Sequence, residues 1–236
     1  MIGIIVQLAI SWLIVWLFEK DNLRVLGFRP SKRRLFDFAL FFMVTAICCS
    51  SGFFMRMYFG NERWEVNPVL TISLIGSGLW WHIKSVLFEE LIFRGVLFYI
   101  LIKRLGGTKA IIISAIAFGM YHWFSHQVIG NVTQMAITFV TTGTIGLLYA
   151  YGYAKTFSLY VPCAIHLGWN FTQGFIFPDG PIGNGILIKA TPETFRTDSY
   201  ILFYTVSFLP MIVTLLMNYL LLKGRKQVEL LTEKPY

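Results

Sequence analysis

Two adjacent carboxylates and an arginine, Glu89, Glu90 and Arg94, interrupt the otherwise apolar stretch Phe88-Glu89-Glu90-Leu91-Ile92-Phe93-Arg94-Gly95. At about 100° per residue, Glu90 and Arg94 share one face of a helix and Glu89 points a quarter turn away. One carboxylate is thus placed to neutralise the guanidinium, and the other is left for different work. A structural ion pair beside a protonated glutamic acid is the bland alternative, but one pair needs only one acid. His122 follows Phe118 by four residues, so ring and imidazole fall on one helix face. His166 and Asn170, again four apart, stand in the run Ala164-Ile165-His166-Leu167-Gly168-Trp169-Asn170. Taken singly, His122 could be a hydrogen-bonded packing residue, and His166 with Asn170 could be polar glue between helices. Taken together, a carboxylate and histidines are the groups that activate water or move protons near neutral pH.

These side chains sit in a chain whose composition is that of a membrane protein. Of 236 residues, 56% are hydrophobic and 14% carry a formal charge, about half the charged share of a soluble domain. The apolar residues arrive in runs near the roughly 20 residues that a helix needs to cross hydrocarbon. Runs over 1–18, 35–54, about 80–105, 110–124, 132–154, 157–177 and 200–222 predict an all-α, polytopic membrane helical bundle of about seven transmembrane helices. The stretch 69–105 is too long for one span, so the aromatic pair Trp80-Trp81 is read as an interfacial marker at which a span begins. His82 and Lys84, just beyond it, are expected to snorkel toward the interface. The first run has neither the basic start nor the small-residue cleavage site of a secretory signal and reads as a retained anchor. The whole of 1–236 is read as a single integral membrane domain, with the motifs confined to about 69–177.

Basic residues divide unequally between the two ends of these spans. With the N-terminus outside, one side collects Lys20, Arg24, Arg29, Lys32, Arg33, Arg34, Lys103, Arg104, Lys109, Lys155, Lys223, Arg225, Lys226 and Lys234, and the other only Arg56, Arg63, Lys189 and Arg196. Fourteen against four, with Lys84 and Arg94 inside a span, predicts a cytoplasmic C-terminus by the positive-inside rule. The net charge of +8 then needs no nucleic acid, because basic loops beside anionic headgroups account for it. Cys48, Cys49 and Cys163 show neither metal-ligand spacing nor a disulfide framework and read as small apolar residues. The acceptor patterns at Asn131 and Asn170 read as coincidence, and a chain ending at Tyr236 has no prenylation box.

Each ionisable group inside a span costs at least roughly 2.5–3.5 kcal/mol to insert and so needs a reason. Measured from the nearest basic residue, Glu89 lies fourteen residues from Lys103, His122 thirteen from Lys109 and His166 eleven from Lys155. At 1.5 Å per residue these are depths of roughly 21, 20 and 17 Å. A shared level favours one cavity built by three helices over scattered packing contacts.

In this order the three groups resemble the motifs of the CAAX prenyl endopeptidase and bacteriocin-processing (CPBP) family of intramembrane glutamic proteases. Glu89, Glu90 and Arg94, flanked by Phe93 and Gly95, are similar to its first motif. Phe118 with His122 resembles the second, and His166 with Asn170 the third, so none of the key positions from Glu89 to Asn170 is substituted. Each motif is short, but three in order on separate spans are specific. The resemblance implies peptide hydrolysis by a water that a glutamate and a histidine activate, with no cofactor, metal or covalent intermediate. Residue chemistry leads to the same division of roles. A carboxylate removed from water becomes a stronger base, so Glu89 is the expected general base, with His122 orienting the same water. His166 and Asn170 would donate to the oxyanion. Glu90, Arg94 and Phe118 would supply structural and electrostatic support, although the roles of Glu89 and Glu90 could be reversed.

The expected partners are a peptide or protein substrate at the membrane and the lipid bilayer. Family members differ in substrate, some trimming prenylated tails and others acting in bacterial peptide maturation or bacteriocin immunity. The short loops lean toward a bacterial cytoplasmic membrane. A zinc protease is an alternative, since His122 and His126 form a His-x-x-x-His pair, but the usual His-Glu-x-x-His arrangement is absent and His126 falls at a helix end. A non-enzymatic peptide-binding immunity factor or a proton-coupled carrier could also use buried carboxylates, although no inverted repeat is visible.

Overall fold

The computed structural model describes residues 2–178, 185–190 and 195–226; the basic residue Lys234 and the terminal Tyr236 lie outside them. The chain is built of α-helices, as its hydropathy predicts: α1 (Ile2–Glu19), α2 (Lys32–Gly60), α3 (Ile72–Phe93), α4 (Val96–Leu105), α5 (Gly107–Ser125), α6 (Val132–Thr156), α7 (Tyr160–Phe171) and α8 (Tyr200–Lys223). A π-helical segment, Thr172–Ile176, prolongs α7. Four of the described helices, α1, α2, α6 and α8, are long and apolar enough by themselves to cross a membrane. Their exposed faces carry side chains such as Ile5, Trp12, Ile47, Val140, Ile212 and Leu216, surface that water would disfavour and lipid accommodates.

The expected division of 69–105 is corrected. No break precedes Trp80; α3 runs through the tryptophan pair, and the interruption falls at Arg94-Gly95. Gly95 takes an extended backbone there (φ −78°, ψ −150°), and a Cβ at this position would lie 2.0 Å from the Leu91 carbonyl oxygen. The break leaves nearby carbonyls without helical donors, and Ser114 on α5 meets one of them, donating from Oγ to Phe93 O at 2.8 Å. A depth for Glu89 counted as unbroken helix from Lys103 therefore does not hold.

Contacts group the chain into two compact units, one of residues 1–37, 87–163 and 219–236, the other of 38–86 and 164–218. In the first, Val15, Leu26, Val96, Phe98, Ala110, Ala150, Tyr153 and Leu159 form the buried core. Glu19 at the end of α1 accepts from Lys103 and, at 3.2 Å, from Arg104 at the end of α4. The Tyr153 hydroxyl donates to Val25 O at 2.6 Å, fixing the 3-10 turn Leu23–Leu26 against α6.

The second unit holds most of α2, with the start of α3, the end of α7 and the body of α8. Gly168 lets α7 approach the backbone of α2, since a Cβ would stand 2.7 Å from Phe42 O. Asn218 of α8 donates to Thr45 Oγ1 of α2 at 3.1 Å, inside an otherwise apolar contact. Two short strands not anticipated from the sequence, β1 (Trp64–Val66) and β2 (Leu187–Lys189), pair antiparallel with Trp64 opposite Lys189. Beside them Glu62 receives Lys189 at 3.1 Å and Arg56 at 3.7 Å. All three cysteines are free thiols; Cys49 is buried, Cys48 and Cys163 partly so.

Candidate active site

The end of α3 with the residue after it and the middle of α5 bring five of the sequence-selected positions, Glu89, Glu90, Arg94, Phe118 and His122, into one cluster of the first unit. Glu90 and Arg94, one helical turn apart and both 0% exposed, form a buried ion pair with Nη1 3.1 Å from Oε1. The other guanidinium nitrogen, Nη2, donates to Gly146 O of α6 at 3.0 Å. The guanidinium carbon stands 4.3 Å from the centre of the Phe118 ring and 5.2 Å from that of Tyr149. An arginine taken wholly out of water thus meets a carboxylate, a carbonyl and two aromatic faces, the set of partners that offsets the desolvation of its charge.

Phe118 acts on both sides of this cluster. Its ring covers Arg94, stands edge-on to Phe93 with centroids 5.1 Å apart, and lies 4.4 Å from the His122 imidazole. Its carbonyl receives His122 Nδ1 at 2.8 Å. A carbonyl only accepts, so Nδ1 carries the proton, and a neutral His122 presents an acceptor lone pair at Nε2. Nε2 faces Glu89 Oε2 at 4.0 Å, with 11% and 15% of the two side chains exposed. Glu89 and Glu90 have therefore gone separate ways, as their quarter-turn offset predicts: one to His122, the other to Arg94.

His166 and Asn170 lie in the second unit, on α7 just before the π-helical segment; His166 is buried and Asn170 half-buried. A π turn widens the helix and leaves its backbone out of α-helical register.

Three contributors escaped the sequence reading. Gly146 is one: a Cβ there would come within 3.0 Å of Phe118 and 3.2 Å of Arg94 Nη2, so its missing side chain is the space the guanidinium uses. The small residues Gly143 and Gly146, spaced along α6, were a legible signal of close helix approach. Tyr149 and Ser114 carried no signal of their own. His82 is corrected. It does not snorkel; at 4% exposure it is buried in the second unit, with Nδ1 donating to Gly78 O at 2.9 Å and its ring against Phe171 and Phe175. Lys84 does stand near an aromatic face, 5.8 Å from the Trp80 ring. His126 caps the end of α5 in an exposed position, as expected, with its ring 5.2 Å from that of His122. Among the described residues, no group of three or more His, Cys, Asp or Glu side chains is disposed to hold a metal ion.

Comparison with known proteins gives a match over residues 71–172 to the family model described as type II CAAX prenyl endopeptidase Rce1-like. That stretch runs from the residue before α3 to the first residue of the π-helical segment and contains all three motifs. No curated protein and no solved structure matches the chain. Residues 71–172 are thus similar to the type II CAAX prenyl endopeptidase family, with the three motifs in order inside the matched segment, in a chain whose apolar helices are those of an integral membrane protein.

Proposed function

We propose that the protein is a glutamic-type endopeptidase in which Glu89 and His122 activate a water against a peptide bond of a membrane-associated or lipid-modified substrate, without a metal or a covalent intermediate. The observation that carries this reading is the 4.0 Å approach of His122 Nε2 to Glu89 Oε2. That distance is too long for a direct hydrogen bond and suits a bridging water. With Nδ1 committed to Phe118 O, an ionised Glu89 and a neutral His122 are both acceptors, so a water between them donates one hydrogen to each. Its lone pairs then point away from both groups and toward an incoming carbonyl carbon. The new C–O bond forms as the water proton passes to Glu89. Glu89 returns that proton to the leaving nitrogen as the C–N bond breaks.

The oxyanion formed on attack needs donors, and we assign them to His166 and Asn170 on their side-chain chemistry and the family's third motif. Such a contact is typically worth about 3 kcal/mol of transition-state stabilisation. Glu90 and Arg94 hold α3 and its charge in place. For setting, we propose a bacterial cytoplasmic membrane with the N-terminus outside, and a role in peptide maturation or bacteriocin immunity.

The test is a comparison of membrane-associated peptides and proteins in cells carrying the wild-type chain or Glu89→Gln at matched level. An uncut species that is absent with the wild-type chain, accumulates with Glu89→Gln and accumulates less with Glu90→Gln is the expected result. Normal processing by Glu89→Gln rejects the reading, as would dispensability of Glu89 with an absolute need for Glu90. His166→Ala and Asn170→Ala should each slow turnover of the same species.

A further inference from the structure

Away from this cluster, still in the first unit, the start of α2, the end of α6 and the start of α7 enclose a cavity of ≈ 300 Å³. Its lining includes Arg29, Arg33, Arg34, Asp37, Tyr160 and Val161. Three arginines and one aspartate therefore line the same space. That carboxylate is engaged from elsewhere: Arg225 at the end of α8 reaches Asp37 at 2.7 Å, and Arg33 is 4.0 Å away. Neither Arg29 nor Arg34 has an ion pair among the described residues. Arg34 is nonetheless held, donating from Nη1 to Arg29 O at 2.7 Å while its backbone N–H binds Ser31 Oγ at 3.2 Å.

Three of the neighbouring hydroxyls are committed to the backbone. Thr156 donates to Gly152 O at 2.7 Å, Ser158 to Gly27 O at 3.3 Å and Tyr160 to Phe28 O at 3.3 Å. The donors that remain to meet a ligand are the Ser31 hydroxyl, which accepts from Arg34 N–H, and guanidinium N–H groups, whose planar fork matches phosphate oxygens. Pro30 and Val161 add apolar lining beside them. The cavity opens where α2 begins at Lys32 and α6 ends at Thr156, and both helices are apolar enough to span a bilayer. Helix ends of that kind lie at headgroup level, where basic pockets recognise anionic phosphates.

We propose that this cavity binds a phosphate ester that keeps its negative charge, held by Arg29, Arg33 and Arg34. An anionic phospholipid headgroup and a soluble phosphate share that chemistry. A zwitterionic headgroup does not, because its own ammonium neutralises the anion. The proposal does not depend on the peptidase mechanism.

The experiment uses the purified full chain exchanged from vesicles of phosphatidylglycerol or of phosphatidylcholine into detergent, with retained lipid counted by native mass spectrometry. Wild-type protein should keep phosphatidylglycerol and lose phosphatidylcholine. The triple substitution Arg29→Gln, Arg33→Gln and Arg34→Gln should weaken retention roughly tenfold or more, while Lys109→Gln, Lys223→Gln and Lys226→Gln, which remove the same charge elsewhere, should not. A parallel arm adds inorganic phosphate against chloride at equal ionic strength and reads the thermal midpoint. A rise lost in the arginine triple assigns the site to a soluble phosphate; lipid retention without such a rise assigns it to a headgroup. Arg29→Gln alone, which breaks no ion pair with Asp37, decides the matter should the triple fail to fold. Wild-type retention and phosphate response in the arginine variants, or equal loss in the lysine triple, would overturn the proposal.

Discussion

Arg94 is a fully buried charge matched by buried partners, whereas Glu89 beside it keeps part of its side chain exposed. Its guanidinium is 0% exposed and meets Glu90, the Gly146 carbonyl and the rings of Phe118 and Tyr149. Removing one member of such a pair strands the other in a medium that cannot solvate it, a loss of about 3–5 kcal/mol, whereas removing both leaves no stranded charge. Arg94→Gln should therefore destabilise the protein by about that amount, and Glu90→Gln together with Arg94→Gln by clearly less than the sum of the two single changes. Denaturant unfolding in detergent micelles, arranged as a double-mutant cycle, measures the coupling. Purely additive effects would mean that the ion pair contributes nothing beyond its separate contacts. Glu89→Gln belongs to a different class: its side chain is 15% exposed and faces His122, so it should lower turnover and leave the unfolding midpoint nearly unchanged.

At the scale of elements, α5 and α6 decide whether Phe118, His122 and Arg94 can share one space. Gly119 on α5 faces the Phe139 ring, where a Cβ would come within 2.9 Å, and Gly146 on α6 faces Phe118 and Arg94. Gly146→Val should push the Phe118 ring and the guanidinium off their positions. Overpacking of this kind typically costs about 1–3 kcal/mol, and turnover should fall with it because Phe118 also carries the carbonyl that orients His122. Gly146→Ala, whose Cβ needs its neighbours to give by only tenths of an ångström, should be much milder. Equal effects of the two substitutions on the unfolding midpoint would show that the space beside Gly146 does not limit the packing. The different neighbours of Glu89 and Glu90 were legible in the sequence because a helix turns a fixed angle per residue. Tyr149, Ser114 and the Arg94-Gly95 break were not, since each depends on which helix lies alongside and local spacing does not encode that. His82 misled for a similar reason. A histidine next to two tryptophans looks interfacial until the aromatic rings of a distant segment close over it.

For the molecule as a whole, helical class and membrane residence followed from composition, because runs of apolar side chains leave a chain of this kind few alternatives to spanning helices. The number of crossings is harder to read, since helices that line a polar site are less apolar than those that face lipid. α5 is the sharpest instance. It is not among the four helices apolar enough on their own, yet its polar groups find partners inside the protein: Ser114 donates to Phe93 O and His122 to Phe118 O. Internal satisfaction removes most of the penalty that hydropathy charges against such residues. From Gly107 to Ser125 it rises roughly 28 Å at 1.5 Å per residue, close to the ~30 Å of a hydrocarbon core. α5 should therefore cross the bilayer, with Lys109 at the cytoplasmic end and Ser125 at the outer one. In a chain with its native cysteines replaced by serine, a membrane-impermeant maleimide applied to intact cells should label Ser125→Cys at once and Lys109→Cys only after permeabilisation. Labelling of both from outside would place α5 along a surface and remove the basis for a buried Glu89–His122 pair. The reverse pattern would keep the crossing and invert the orientation read from the basic loops.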